Sequence, residues 1–499
     1  MNLAQQLPQL LQHFAVLTPE VFLTASFLVV VTVDLVLEKS SQTKSSLYPL
    51  TLGVVAVAGW LVWREEGSGF LFGRMLVLDG QAQFFKLLVT LAAAVMIAHA
   101  WALRYRFPGE LHSLLLAMLL GLYLLTMAVN LLTIYLAVEL VSIVSYVLTA
   151  FNRDRRGAEG AVKYALFGAV SAAVMLYGMS LLYGLTGTLD VTDPGFTRAL
   201  AQTDAFAVGV ALVLTLGGLL FKIAAVPFHL WNPDVYEAAP TPVVSFFSVA
   251  PKAAAFLTLM RLESILPVDW AGWLAVVALA SIAVGNFSAL WQQDARRMLA
   301  YSSIAQTGFV LIGLAAATDF GLRSATFYLG AYLFATMGAF LLLDLLVTPH
   351  VAPTSRSAQA SPPSRWPATN YAFARFAGLG LRQPALGVAV VLVMISLVGL
   401  PLTAGFSAKL LVFSALWETY QQTERTLLGA LLLFGVFNAA VSLVFYLKLP
   451  FMLFSRNQPD APAVPRPTVG QWLLLGALVV PIVVLFLRAD WLMDFLESL

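Results

Sequence analysis

The sequence predicts an all-α polytopic membrane protein with about fourteen transmembrane helices, and two observations carry that prediction. Of 499 residues, 60% are hydrophobic and only 11% charged, where soluble domains carry about 25% charged residues; the mean hydropathy is +0.85. The apolar residues also gather into segments of membrane-crossing length, about 20 residues each. These are 16–37, 47–63, 80–103, 111–129, 131–151, 161–184, 205–228, 241–262, 271–290, 298–317, 322–348, 385–417, 426–450 and 469–488. The second is short. The seventh is interrupted by Pro227 and the twelfth by Pro401 and Gly405, and proline removes a backbone donor and breaks or kinks a helix.

Loop charge orients the segments, because cytoplasmic loops collect lysine and arginine. Odd-numbered loops hold about fifteen, among them Arg104, Arg106, Arg153, Arg296, Arg297 and Arg466, against about six in even-numbered loops. Both termini are therefore expected on the non-cytoplasmic side of the membrane. The N-terminus, Met1-Asn-Leu-Ala-Gln-Gln-Leu, lacks a basic n-region and a small-residue cleavage site, so the first apolar segment reads as a retained span. Tryptophans such as Trp60, Trp63, Trp101 and Trp291 fall near span ends, as an aromatic belt requires. The stretch 349–383, with Pro349, Pro353, Pro362, Pro363 and Pro367, reads as an irregular connection.

Composition also excludes functions. The chain has no cysteine, so it holds no disulfide, thiolate metal site or iron–sulfur cluster of its own. A net charge of +2 gives no nucleic-acid footprint. There is no His/Asp/Glu cluster with metal-ligand spacing, no Gly-rich phosphate cradle and no Ser/His/Asp pattern.

What remains is ionisable groups at membrane depth. Glu139 lies mid-span in the segment Asn130–Tyr146, Lys222 ends the apolar run that begins at Ala205, Lys252 lies mid-span after Pro251, and Lys409 follows the second break. An ammonium at mid-bilayer costs roughly 2.5–3.5 kcal/mol even on insertion scales, so such groups read as functional by default. Burial disfavours the charged form of any ionisable group, and neighbouring groups titrate as coupled pairs. One carboxylate and three amines therefore suit proton handling. Ser142, Ser145, Thr215, Ser245, Ser248, Thr403 and Ser407 stand near them and suit bridging waters. The competing structural reading is that Glu139 only neutralises Lys222 and that Lys222 only serves a helix end. Lys163, beside Arg153, Arg155 and Arg156, reads as an interfacial anchor before a relay member, and His229, just past the first break, as a surface proton carrier or a histidine satisfied by the broken backbone. Lys86 and Asp34 are expected to snorkel from span ends, His99 and His112 to be interfacial, and Asp344 to cap a helix or face the interface. Each half also has one proline-broken, lysine-bearing span, Lys222 with Pro227 and Pro401 with Lys409, the usual pointer to inverted repeats with a site between them.

These residues also carry a resemblance. The stretch Gly217-Gly-Leu-Leu-Phe-Lys-Ile-Ala-Ala-Val-Pro-Phe-His-Leu-Trp-Asn-Pro-Asp-Val-Tyr-Glu-Ala-Ala-Pro-Thr-Pro-Val243 resembles the signature of the antiporter-like membrane subunits of respiratory complex I. The Asp-Val-Tyr-Glu form, with Ser248-Val-Ala-Pro-Lys-Ala-Ala-Ala-Phe256, resembles the subunit N type. Thr18-Pro-Glu-Val-Phe22 with Asp34, Arg297-Met-Leu-Ala-Tyr-Ser-Ser-Ile-Ala-Gln-Thr-Gly308, and Gly399-Leu-Pro-Leu-Thr-Ala-Gly-Phe-Ser-Ala-Lys409 agree. Asn232 stands where threonine is frequent in that family and Ala238 where glycine is frequent.

The resemblance implies two inverted five-helix repeats, 111–262 and 271–450, with flanking helices in 1–110 and 451–499. It implies a proton-translocating membrane-arm subunit in which Glu139, Lys222, Lys252 and Lys409 are the relay, with Lys163, His229, Pro227 and Pro401 accessory. It places NADH, FMN, iron–sulfur clusters and quinone in partner subunits, none of them in this chain, and other antiporter-like subunits beside it in the lipid bilayer. The alternatives are an Mrp-type cation/proton antiporter subunit, a membrane hydrogenase subunit, and a scaffold that moves no ions.

Overall fold

The computed structural model describes residues 13–36, 46–265, 269–347, 371–455 and 466–498. Most of the proline-rich connection, 348–370, lies outside them. Each apolar segment read from the sequence falls on helix. In chain order these are α1 (Thr18–Val36), α2 (Leu47–Trp63), α3 (Gly80–Ala102), α4 (Glu110–Met127), α5 (Leu131–Thr149), α6 (Arg155–Thr186), α7 (Ala205–Ile223) and α8 (Trp231–Ala238). They continue as α9 (Thr241–Phe247), α10 (Ala250–Ile265), α11 (Trp270–Leu290), α12 (Ala295–Ala315), α13 (Asp319–Leu346), α14 (Pro384–Val398), α15 (Ala404–Thr423), α16 (Thr426–Tyr446), α17 (Val469–Leu487) and α18 (Ala489–Ser498). Among the described residues, twelve helices are long and apolar enough to cross a membrane, counting α9 and α10 as one; α2 and α14 are shorter apolar helices.

Starts follow short polar side chains that satisfy the first free N–H groups. Asp79 accepts from Ala82 N at 2.8 Å, and Asn130 from Leu132 N at 3.0 Å. Asp154 accepts from Gly157 N at 2.6 Å, so α6 begins at Arg155 rather than at residue 161. Among the described residues the one sheet is a hairpin outside the helices, Gly69–Leu71 paired antiparallel with Leu76–Leu78.

The two expected interruptions are present, each ending in a left-handed residue. α7 ends at Ile223, with Ala224 at φ 56°, and the Val226–Pro227 peptide is cis. α14 ends at Val398, with Gly399 at φ 86°. A third interruption was not anticipated. The span 241–262 is not one helix: it turns at Ser248 and Val249, between α9 and α10. The cause is Pro251, which has no N–H to bond the carbonyl of Phe247, four residues back. Lys252 therefore sits in the first turn of a new helix.

The central helices are the most enclosed. α12 and the α9–α10 segment are almost wholly buried, whereas α1, α16 and α17 present broad apolar faces outward. α11 and α12 approach at Gly285 and Gly308. A Cβ on Gly308 would lie 2.9 Å from Ala278 O and 2.7 Å from Ile282 Cγ1, and one on Gly285 would lie 2.4 Å from Ala305 N. Such overpacking typically costs about 1–3 kcal/mol. Gly308→Val is therefore expected to lower the unfolding temperature and the yield of folded chain; a yield and unfolding curve equal to the parent's would show that α11 and α12 separate freely.

Candidate functional site

The site is a row of buried polar groups running through the centre of the helical assembly. It begins on α5. Glu139 is half-buried, and its Oε1 has no hydrogen-bond partner among the described residues. One turn on, Ser142 accepts from Lys222 Nζ at 2.9 Å and donates to Val138 O at 2.6 Å. Glu139 and Lys222 form no ion pair within 4.0 Å, although their charges interact. The direct carboxylate–ammonium contact suggested by the sequence is thus replaced by a serine that faces the ammonium from the acid's own helix.

Lys222 lies in the last turn of α7 and is 1% exposed, where the helix dipole favours a cation. The break beside it frees backbone groups that membrane depth does not tolerate unpaired. Side chains from three other places satisfy them. Thr307 on α12 donates to Ile223 O at 2.8 Å, Ser281 on α11 accepts from Val226 N at 3.0 Å, and Trp231 Nε1 donates to Phe221 O at 3.0 Å. Trp231 stacks on Tyr164, with centroids 4.4 Å apart. Pro227 is exposed and His229 half-buried in the turns that follow, and His229 O accepts from Asn232 N at 3.0 Å.

α12 carries the row onward. Lys252, 2% exposed, donates to Ser303 Oγ at 2.6 Å and to Thr307 Oγ1 at 3.4 Å. The hydroxyls of Tyr236 and Tyr332 reach the same Ser303 Oγ at 3.2 and 3.1 Å. Thr307 therefore touches both the carbonyl next to Lys222 and the ammonium of Lys252.

The other side of α12 faces the second break. Lys409, 5% exposed, donates to Val398 O at 2.6 Å and lies over the Phe309 ring at 4.3 Å. It thereby occupies the free carbonyl end of α14, the end that attracts cations. Gln306 Nε2 donates to the neighbouring Leu397 O at 2.9 Å and to Tyr446 OH at 2.9 Å, its Oε1 accepts from Tyr328, and Tyr446 also pairs with Ser302. Pro401 is exposed in the turn between the two half-helices.

The four expected charges are thus brought toward one row. The sequence alone assigns no role to Ser302, Ser303, Gln306, Thr307 and the four tyrosines around them. Their signal was present: four polar residues within six positions of one apolar span, on helical faces that point two ways. Lys163 is not brought to the row. Its side chain is 43% exposed and pairs with Glu159 at 2.9 Å and Asp234 at 3.0 Å. Asp234 is also paired with Arg297 at 3.3 Å.

Four expectations about peripheral groups are corrected. Lys86 does not snorkel: it is fully buried, bonded to Glu20 at 2.7 Å and Glu65 at 2.9 Å. Asp344 is neither a cap nor interfacial. It is 7% exposed, and it accepts from Tyr371 at 2.7 Å and Tyr105 at 2.6 Å and pairs with His99 Nε2 at 3.0 Å. His99 and His112 are each 1% exposed rather than interfacial; His112 bonds Thr51 Oγ1 at 2.9 Å. In each case a partner from a distant segment replaces water, and one chain's periodicity does not show that partner.

Residues 128–438 match the transmembrane family described as NADH:quinone oxidoreductase/Mrp antiporter. NADH-quinone oxidoreductase subunit N of Anaeromyxobacter sp. (strain Fw109-5) is 37% identical over 497 residues, covering 93% of this chain and 92% of that protein. Subunit N of Trichlorobacter lovleyi is 37% identical over 463 residues, covering 89% and 88%. Among solved structures, a chain of respiratory complex I from Thermus thermophilus with bound aureothin superposes with a TM-score of 0.78 at 32% identity, covering 96% of this chain and 99% of that one. A chain of the Mrp complex from Dietzia sp. shares the fold, with a TM-score of 0.77 at 20% identity over 96% of both chains. This chain belongs to the NADH:quinone oxidoreductase/Mrp antiporter family and, within it, to the antiporter-like membrane subunits of the subunit N type.

Proposed function

We propose that this chain moves protons across the membrane as a membrane-arm subunit of an NADH–quinone oxidoreductase, with Glu139, Lys222, Lys252 and Lys409 as the groups that hold the travelling proton. One observation carries the reading: Thr307 joins the carbonyl at the Lys222 break to the Lys252 ammonium, while Gln306, one residue away, meets the carbonyl end occupied by Lys409. A single helix thus serves all three amines. Protons pass between them through bridging waters held by Ser142, Ser303 and Thr307. A charge arriving near Glu139 shifts which amine keeps its proton, because coupled groups titrate together.

The chain supplies no electron carrier in this reading; NADH, FMN, iron–sulfur clusters and quinone belong to partner subunits, and neighbouring antiporter-like subunits adjoin it in the bilayer. The resemblance supports two inverted repeats, 111–262 and 271–450, with 1–110 and 451–499 flanking them. Loop charge supports both termini on the non-cytoplasmic side. His229 serves as an accessory group at the surface of the row and Lys163 as one outside it, and Pro227 and Pro401 keep the breaks open.

The test is Thr307→Val in the assembled complex. It keeps the shape and removes the hydroxyl between Ile223 O and Lys252. Proton translocation per electron should fall severalfold, about 1 kcal/mol in effect, with the complex intact; unchanged translocation would remove α12 from the route. The matched family also includes Mrp antiporters, which gives a second reading, cation/proton exchange. Transport that requires sodium in the same membranes would favour it.

A further inference from the structure

A second group of buried charges lies apart from the row, among the flanking helices. Lys86 on α3 is 0% exposed at its side chain, Glu20 on α1 5%, and Glu65, two residues beyond α2, 3%. All three meet at one ammonium. Nζ lies 2.7 Å from Glu20 Oε1, 2.9 Å from Glu65 Oε1 and 3.1 Å from Glu65 Oε2. The fourth side is closed by Tyr123 of α4, whose ring lies 5.7 Å from Nζ and whose hydroxyl bonds Thr90. Gln83 anchors the turn that presents Glu65, donating to Val62 O at 2.9 Å and to Glu65 O at 3.3 Å.

Two carboxylates and one ammonium leave a net charge of −1 when all are ionised. The nearby charges do not cancel it. Arg64 and Glu66 are exposed, and Asp79 and Arg261 neutralise each other at 2.7 Å. An uncompensated buried charge costs several kcal/mol, and of two carboxyls sharing a site one holds its proton more tightly. We propose that Glu20, Glu65 and Lys86 form a second proton-binding site, distinct from the Glu139–Lys409 row, in which the two carboxyl groups hold one proton between them.

Glu65 has both oxygens on the ammonium and suits the ionised form. Glu20 brings only Oε1 within ion-pair distance, and neither of its oxygens has a hydrogen-bond partner among the described residues; unbonded oxygens are tolerated far better on a neutral acid than on a carboxylate. Burial also pushes the Glu65 carboxyl up from its ordinary range, while the Lys86 ammonium pulls it down and Glu20 adds to the rise. Glu65 stands two residues past the end of α2, next to exposed Glu66. The site therefore lies one step from solvent, at the membrane face that loop charge assigns to the non-cytoplasmic side. Its existence does not depend on the row being a relay.

The assembled complex tests this by infrared difference spectroscopy across hydrogen/deuterium exchange, which reads protonated carboxyl groups. At neutral pH the wild type should show one carboxylic-acid equivalent that Glu20→Gln and Glu65→Gln each lack, because either substitution leaves a neutral carboxylate–ammonium pair. Glu20→Asp, which keeps a carboxyl, should retain it and guards against a variant that fails to assemble. The proposal is overturned if the acid signal is the same in wild type and both glutamine variants. It is equally overturned if the wild type lacks that signal and sodium ions, but not choline, raise its unfolding temperature in place of the proton.

Discussion

Lys222→Met is expected to cut proton translocation about tenfold, the slowing that a barrier increase of about 1.4 kcal/mol produces, while the chain folds and assembles as before. Methionine is unbranched like lysine, one heavy atom shorter, and carries no charge. At 1% exposure the ammonium is held at a cost of roughly 2.5–3.5 kcal/mol, offset in part by Ser142 and the end of α7. Removing it relieves that cost, so the unfolding temperature should hold or rise as activity falls. A group present only to hold the structure would show the reverse, loss of stability first. Glu139→Gln should act in the same direction and leave the Lys222–Ser142 contact in place. Normal proton-to-electron stoichiometry in Lys222→Met would refute the relay role; the measurement is proton uptake against quinone reduction in sealed vesicles.

Asp344→Leu should have the largest effect on stability. The carboxylate is the common acceptor for Tyr105, Tyr371 and His99, which come from the loop after α3, the far side of the proline-rich connection and α3 itself. Leucine takes the acceptor from His99 and Tyr105, at about 1–3 kcal/mol each, leaves Tyr371 only Thr241 Oγ1 at 2.9 Å, and breaking one partner out of a buried charged set costs about 3–5 kcal/mol. Against a total stability of about 5–15 kcal/mol, most of the folded subunit should disappear from the membrane. Asp344→Asn, which keeps an acceptor oxygen, should fall between. The quantity to measure is folded chain in solubilised membranes with its unfolding midpoint, and an Asp344→Leu chain as abundant and stable as the parent would contradict this account.

Much of the fold was legible because each span announces itself locally. A run such as Ala205–Ile223 needs no partner to declare itself apolar, and Pro227 and Pro401 mark the breaks by backbone chemistry alone. Less was legible where one weak local signal competed with a strong one. Pro251 lies inside an apolar run long enough to span, and the run concealed the turn at Ser248 and Val249. The polar residues of α12 were equally visible as residues, yet a serine or glutamine within a span has no assigned neighbour until the opposite helix is known.

The sequence by itself determined the membrane class, the approximate positions of the helices, the two broken spans, and which charges lie at depth. These follow from composition, length and the cost of charge in hydrocarbon, each a property of one segment and its solvent. Tertiary structure alone decided who meets whom: Ser142 rather than Glu139 at Lys222, α12 between Lys252 and Lys409, Lys86 between two glutamates, and Asp344 among His99 and two tyrosines. The reason is physical. A buried polar group is stabilised by partners 80 or 245 positions away in the chain, and no periodicity within a single helix records a contact made across several of them.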